Sequence, residues 1–224
     1  MMFTQRDHLY FFFDFISHNA WLAWHKMPVL AQRYGLILEP VPVLFAGLLQ
    51  AHNQRGPAEV PAKLNWMLWN VLRKAQQHNI PISPPHTHPF NPLPPLRAAC
   101  CDLPRDARFR LIQALFSATW VESRAVSQID VVGQVIRESG LDSDAVLQQM
   151  QSESVKTRLR LNTEAAVKAG VFGVPSMKIG DELFWGFDDL PQLESFLAGT
   201  DPLDPDRSAY ADWQRVQPSA QRKS

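Results

Sequence analysis

Leu9 to Ile16 is an almost unbroken apolar and aromatic run, interrupted by Asp14. A run of this kind predicts a strand covered on both faces by helices. Helical spacing begins straight after it, with Trp21, Leu22, Met27, Leu30, Ala31 and Tyr34 leaning to one side. Ser17 or Asn19 stands where an N-cap belongs. Pro28 falls inside the pattern and predicts a kink, and Gly35 predicts the end. Leu36 to Leu44, with Pro40 and Pro42, reads as a second strand near a sheet edge. Strand, helix, strand is the opening of an α/β unit.

The middle of the chain changes character. Lys63 to His78 is helical through Leu64, Met67, Leu68, Val71, Leu72 and Ala75. Residues 81–95 are so rich in proline that an extended loop is expected throughout. From Arg105 to Gly170 the spacing is helical again. Breaks are predicted near Ser127, at Gly140 with Asp142 capping the next helix, and near Ser152 to Ser154. After Gly170 the sheet resumes. Ser176–Ile179 and Glu182–Trp185 read as short strands joined by Gly180-Asp181, a tight hairpin signal. Asp188 or Asp189 caps a last helix through Leu190, Leu193, Phe196 and Leu197, and a polar tail is expected from Thr200 onward. The expected division is an α/β part of residues 1–44 and 170–199, an all-helical insert of 45–169, and a tail of 200–224.

Composition narrows the function classes. The chain is 46% hydrophobic and 20% charged, ordinary for a globular protein, and its 22 acidic and 22 basic residues cancel. No bulk attraction to nucleic acid or membrane follows from that balance. Residues 1–7 lack the basic-then-apolar order of a signal peptide, and no apolar run approaches a membrane span. Cys100 and Cys101 are adjacent and poorly placed to bond each other. A reducing, cytoplasmic setting is the expectation.

Four segments carry a family resemblance: Phe13-Asp-Phe-Ile-Ser17, Pro61-Ala-Lys63, His88-Pro-Phe-Asn91-Pro-Leu-Pro, and Gly170-Val-Phe-Gly-Val-Pro175 running into Glu182-Leu-Phe-Trp-Gly186. Together they resemble the 2-hydroxychromene-2-carboxylate isomerase family, relatives of kappa-class glutathione transferases in the DsbA-like branch of the thioredoxin superfamily. The implied fold is α/β, thioredoxin-like, with a large inserted all-helical domain. Such a fold builds its site from the first strand-to-helix junction and a Val-Pro turn, usually cis. Redox members carry Cys-x-x-Cys at the junction, where this chain has Ser17-His18-Asn19-Ala20.

The resemblance implies glutathione as cofactor, a homodimer, and a reaction interconverting 2-hydroxychromene-2-carboxylate and trans-o-hydroxybenzylidenepyruvate. Ser17 would hold and ionise the borrowed thiol. Lowering a thiol pKa from ~8.5 by two units needs roughly 2.7 kcal/mol, and a hydroxyl hydrogen bond to an anion supplies about 1.5–3. A helix N-terminus adds roughly 0.3–1. Serine is also a favoured N-cap with no chemistry attached. Val174 before Pro175 would offer backbone groups to the cysteinyl part of the ligand. Asp188 would pair with the γ-glutamyl ammonium, while Asp189 replaces an expected base and is read as a helix cap.

Asn53 and Lys63 match positions that line the substrate side in the family, Lys63 as a carboxylate-binding charge with a solvated lysine as nearly as good an explanation, and Asn91 in the proline-rich loop is placed either to reach the cleft or to shape a turn. Arg55 and Arg97 are weaker candidates for that charge. His18 is read as a tolerated surface substitution in preference to a titratable group beside the thiolate, and Trp66, Trp69 and Trp120 as core or cleft wall. His86 and His88 are spaced as a metal pair without further ligands, so no metal site is expected. A kappa-type transferase and a non-enzymatic binding protein are the competing functions.

Overall fold

The computed structural model describes residues 2–203 and 208–217. Four strands form one mixed sheet in the order β2-β1-β3-β4: β1 (His8–Phe13), β2 (Ile37–Pro42), β3 (Ser176–Ile179) and β4 (Glu182–Trp185). β1 lies parallel to β2 and antiparallel to β3, with Phe12 opposite both Val41 and Ser176. Leu9, Phe11 and Phe13 enter a large core on one face, while Tyr10 and Phe12 enter a smaller one on the other. That two-sided burial accounts for the unbroken apolar run.

The strand stops at Phe13, short of the expected Ile16, because the buried Asp14 carboxylate turns the chain. Its two oxygens accept from Ile16 N–H at 3.1 Å and Phe45 N–H at 2.9 Å. The helix that follows is divided rather than kinked, into α1 (His18–Trp24) and α2 (Met27–Arg33), with Pro28 in the first turn of α2, where its missing N–H costs nothing. β2 is an edge strand, as its prolines predict. Side chains from the helical segment cover its carbonyls: Arg105 reaches Leu38 O at 2.8 Å, Asn162 reaches Pro42 O at 3.2 Å, and Arg108 binds Pro40 O.

Between β2 and β3 lie α3 (Phe45–Ala51), α4 (Pro61–Gln77), α5 (Leu93–Ala99), α6 (Arg105–Trp120), α7 (Ile129–Glu138), α8 (Ser143–Gln151) and α9 (Glu153–Lys168). α10 (Leu190–Leu197) follows the sheet. Two caps match expectation: Asp142 accepts from Asp144 and Ala145 N–H, and Ser152 from Val155 N–H. The proline-rich stretch is not loop throughout. Pro94 and Pro95 occupy the first turn of α5, a position that tolerates proline. The tail also departs from a plain polar segment, since α11 (Ser208–Gln214) forms there and an Asp212–Arg215 pair at 2.9 Å supports its end. The rest of the expected tail, 204–207 and 218–224, lies outside the described residues.

Candidate functional site

The end of β1 and the loop before β3 meet at two residues far apart in sequence. Ser17 Oγ donates to Val174 O at 3.2 Å and accepts from Ala20 N–H at 3.1 Å, so the serine both caps α1 and touches the turn. The Val174–Pro175 peptide bond is cis. Both Ser17 and Val174 are only partly buried. The turn is held from behind: Ser176 Oγ binds Gly173 O at 2.8 Å, and Gly186 N–H binds Pro175 O at 2.9 Å. Gly186 has φ of +83°, a conformation suited to glycine. A Cβ on Gly173 would lie 2.5 Å from the Trp185 indole nitrogen, so any side chain there would have to displace that ring.

The proline-rich loop closes over the same junction. His88 Nε2 donates to Ile16 O at 3.1 Å, and Trp120 Nε1 donates to the neighbouring Phe15 O at 2.9 Å. Ser83 N–H reaches Trp120 O at 2.6 Å, and Trp21 Nε1 reaches Pro81 O at 2.9 Å. His88–Pro89 is a second cis peptide bond, which sequence reasoning did not anticipate. His88 therefore serves as a strap across the chain; His86, its supposed metal partner, is exposed. Among the described residues no group of three metal-ligating side chains stands together.

His18 lies inside the protein. It is 6% exposed, not a surface residue, and sits edge-on to Trp120 at 5.9 Å. Burial, with the positive fields of His88 and Lys74, lowers its pKa to about 3, so it is neutral at physiological pH. Among the described residues its buried Nδ1 has no hydrogen-bond partner. Burial has the opposite sign for Asp14, raising its pKa to about 7 against the hydrogen bonds that favour its anion.

Asp188 does not wait unpaired. Its Oδ2 lies 2.6 Å from Lys74 Nζ, a residue that sequence reasoning passed over because it looked like an ordinary last-turn lysine of α4. Asp189 does not cap α10 through its side chain; Oδ2 accepts from Trp185 N–H at 2.9 Å and ties β4 to the following turn. Asn91 Oδ1 accepts from Leu93 N–H at 3.1 Å and shapes the entry to α5, leaving its amide donors. Asn53 is exposed with φ of +51° after α3, and Lys63 is exposed in the first turn of α4. Among the described residues no hydrogen bond or ion pair joins either side chain to Ser17 or Val174.

Arg55 is exposed, its Nη2 3.5 Å from Glu59 O. Arg97 lines a separate groove of about 530 Å³ between α3, α5 and α9. Trp120 is buried as expected, whereas Trp66 and Trp69 on α4 are 62% and 64% exposed and so lie outside the core. Neither cysteine serves the junction. Both are free and buried, and burial pushes Cys100 up to about 12 and Cys101 to about 11.

Residues 8–198 match the family model of the DsbA-like thioredoxin domain. The chain is 30% identical to a 2-hydroxychromene-2-carboxylate isomerase of Sphingobium xenophagum, over 84% of this chain and 96% of that one. It is 27% identical to glutathione S-transferase kappa 2 of Caenorhabditis elegans, over 84% and 90% of the two chains. A solved 2-hydroxychromene-2-carboxylate isomerase structure superposes with a TM-score of 0.79 at 25% identity, covering 94% of this chain and all of that one.

Proposed function

We propose that this chain, which belongs to the DsbA-like thioredoxin family and within it to the 2-hydroxychromene-2-carboxylate isomerases, is a homodimeric isomerase that interconverts 2-hydroxychromene-2-carboxylate and trans-o-hydroxybenzylidenepyruvate with glutathione as cofactor. The observation that carries the glutathione reading is the contact of Ser17 Oγ with Val174 O at 3.2 Å beside the cis Pro175. It is a thioredoxin-type site with a hydroxyl in place of a thiol, in a chain whose own thiols are buried and protonated. When bound, glutathione supplies a thiolate that adds reversibly to the conjugated double bond, which then turns as a single bond before the thiolate leaves.

The residues fit that cofactor. Ser17 has one proton, now given to Val174 O. Turning it toward a sulfur anion frees the Val174 carbonyl to accept from a ligand N–H, so one hydrogen bond is exchanged for two. The hydroxyl supplies about 1.5–3 kcal/mol of preference for the anion. α1 is only seven residues long, so its dipole adds toward the low end of roughly 0.3–1 kcal/mol. Asp188 would hold the γ-glutamyl ammonium. Lys63, with Asn53 and the Asn91 amide, would receive the substrate carboxylate and offset negative charge growing on the conjugated carbonyl.

The kappa-transferase relative favours a second reading, permanent transfer of glutathione to an electrophile. Product analysis separates the two. Isomerisation should require glutathione and leave its concentration unchanged at completion. A stoichiometric loss with adduct formation supports transfer instead, and conversion at full rate without glutathione rules out the cofactor.

A further inference from the structure

The Lys74–Asp188 pair joins elements 114 residues apart, and its two ends differ. The Lys74 side chain is 10% exposed, that of Asp188 72%. An ammonium this sheltered carries a desolvation cost that a mostly exposed partner offsets poorly. Lys74 Nζ also lies 3.5 Å from Asn19 Oδ1, two residues beyond Ser17, and 5.9 Å from the centre of the Phe187 ring. Both members of the pair open onto a groove of about 520 Å³ between α1–α2, α4 and α10. The charge is thus held at the start of α1 with a path to solvent.

Resting on the glutathione reading above, we infer that Lys74 and Asp188 form one receptor for the α-amino-acid end of the γ-glutamyl group, Lys74 taking its carboxylate and Asp188 its ammonium. A zwitterion of this kind carries opposite charges on groups attached to one carbon. Its complement is a cation and an anion already in contact. The valences allow it: an ionised carboxylate accepts at about four sites, so Asp188 serves the ligand ammonium without releasing Lys74. Lys74 has three donors, of which Asp188 and Asn19 engage two. The residue after Asp188 is another acid, and it is spent on Trp185 N–H, so the cation is supplied from α4 instead. Lys74 is here a specificity-determining binding residue.

Isothermal titration with two ligands tests this: glutathione, and 4-aminobutyryl-cysteinylglycine, which lacks the γ-glutamyl carboxylate but keeps the amine. The wild-type protein should bind glutathione at least tenfold more tightly than the analogue. Lys74→Met, which keeps the apolar stem, should bind the two equally, and Lys74→Arg should keep the preference. A wild type that binds both alike overturns the inference without any variant, as does a folded Lys74→Met that retains the full preference. No binding of glutathione by wild type at millimolar concentration is a different result; it removes the cofactor reading first and this inference with it.

Discussion

Two buried titratable residues flank Ser17 and pull the pH dependence of stability in opposite directions. Asp14 titrates at about 7 when folded, above its ordinary 3.8, so its proton is held more tightly in the native state. Its contribution is complete below pH ~4 and is lost as pH rises through about 7. His18 titrates at about 3, below its ordinary 6.5, so its contribution is present above 6.5 and is lost as pH falls toward 3. Burial lowers His25 and His88 as well, which adds to the His18 slope. Removing either side unmasks the other. Urea unfolding of Asp14→Asn should show stability falling more steeply than wild type between pH 7 and 4.5, and His18→Gln should show the reverse. Parallel profiles for all three proteins would contradict both assignments. His18 also marks a limit of residue-level reading. A histidine at the first helical position looks solvent-facing, and its burial comes from Trp120, a hundred residues away.

At the scale of elements, the site is pinned by a loop that has little regular structure of its own and by the last residue of α6. His88 and Trp120 donate to the successive carbonyls of Ile16 and Phe15, the last two residues before the serine. Trp120→Phe keeps most of the ring volume but leaves a buried carbonyl without its donor, a loss of about 1–3 kcal/mol. Denaturant unfolding should show a loss of that size; an unchanged midpoint would mean the Trp120 indole does not constrain the junction. β1, α4 and the helices from 105 to 168 were legible because their apolar runs are long or their caps explicit, and β3 and β4 because Gly180-Asp181 marks the hairpin between them. α3 and α5 were not. α3 has no side-chain cap at Leu44, and prolines conceal the start of α5 although its first turn accommodates them. The pairing of Ser17 with the Val-Pro turn was legible only through resemblance, since no local pattern links positions 157 residues apart.

For the whole molecule, we propose the division into residues 1–44 with 170–199 and an insert of 45–169, with a core that does not respect that division. Phe116 of α6 packs on Phe13 and Phe15 at 5.5 and 4.6 Å, so the helical segment rests directly on the strand that presents Ser17. Among the described residues no helix is long and apolar enough to cross a membrane. Charge placement follows the same economy of long-range contacts: α4 supplies Lys74 to a turn beyond β4, and the sheet brings that turn toward α1. A fold assembled this way offers a hydroxyl, a strand edge and paired charges, but no thiolate of its own. We propose that Ser17 ionises a thiol that arrives with glutathione. Ultraviolet difference absorbance of the thiolate, titrated against pH with glutathione bound, tests it most directly. Wild type should show a bound thiol pKa about 1–2 units below ~8.5, and Ser17→Ala should lose that depression together with turnover at neutral pH. Superimposable titration curves for the two proteins, each saturated with glutathione, would contradict it.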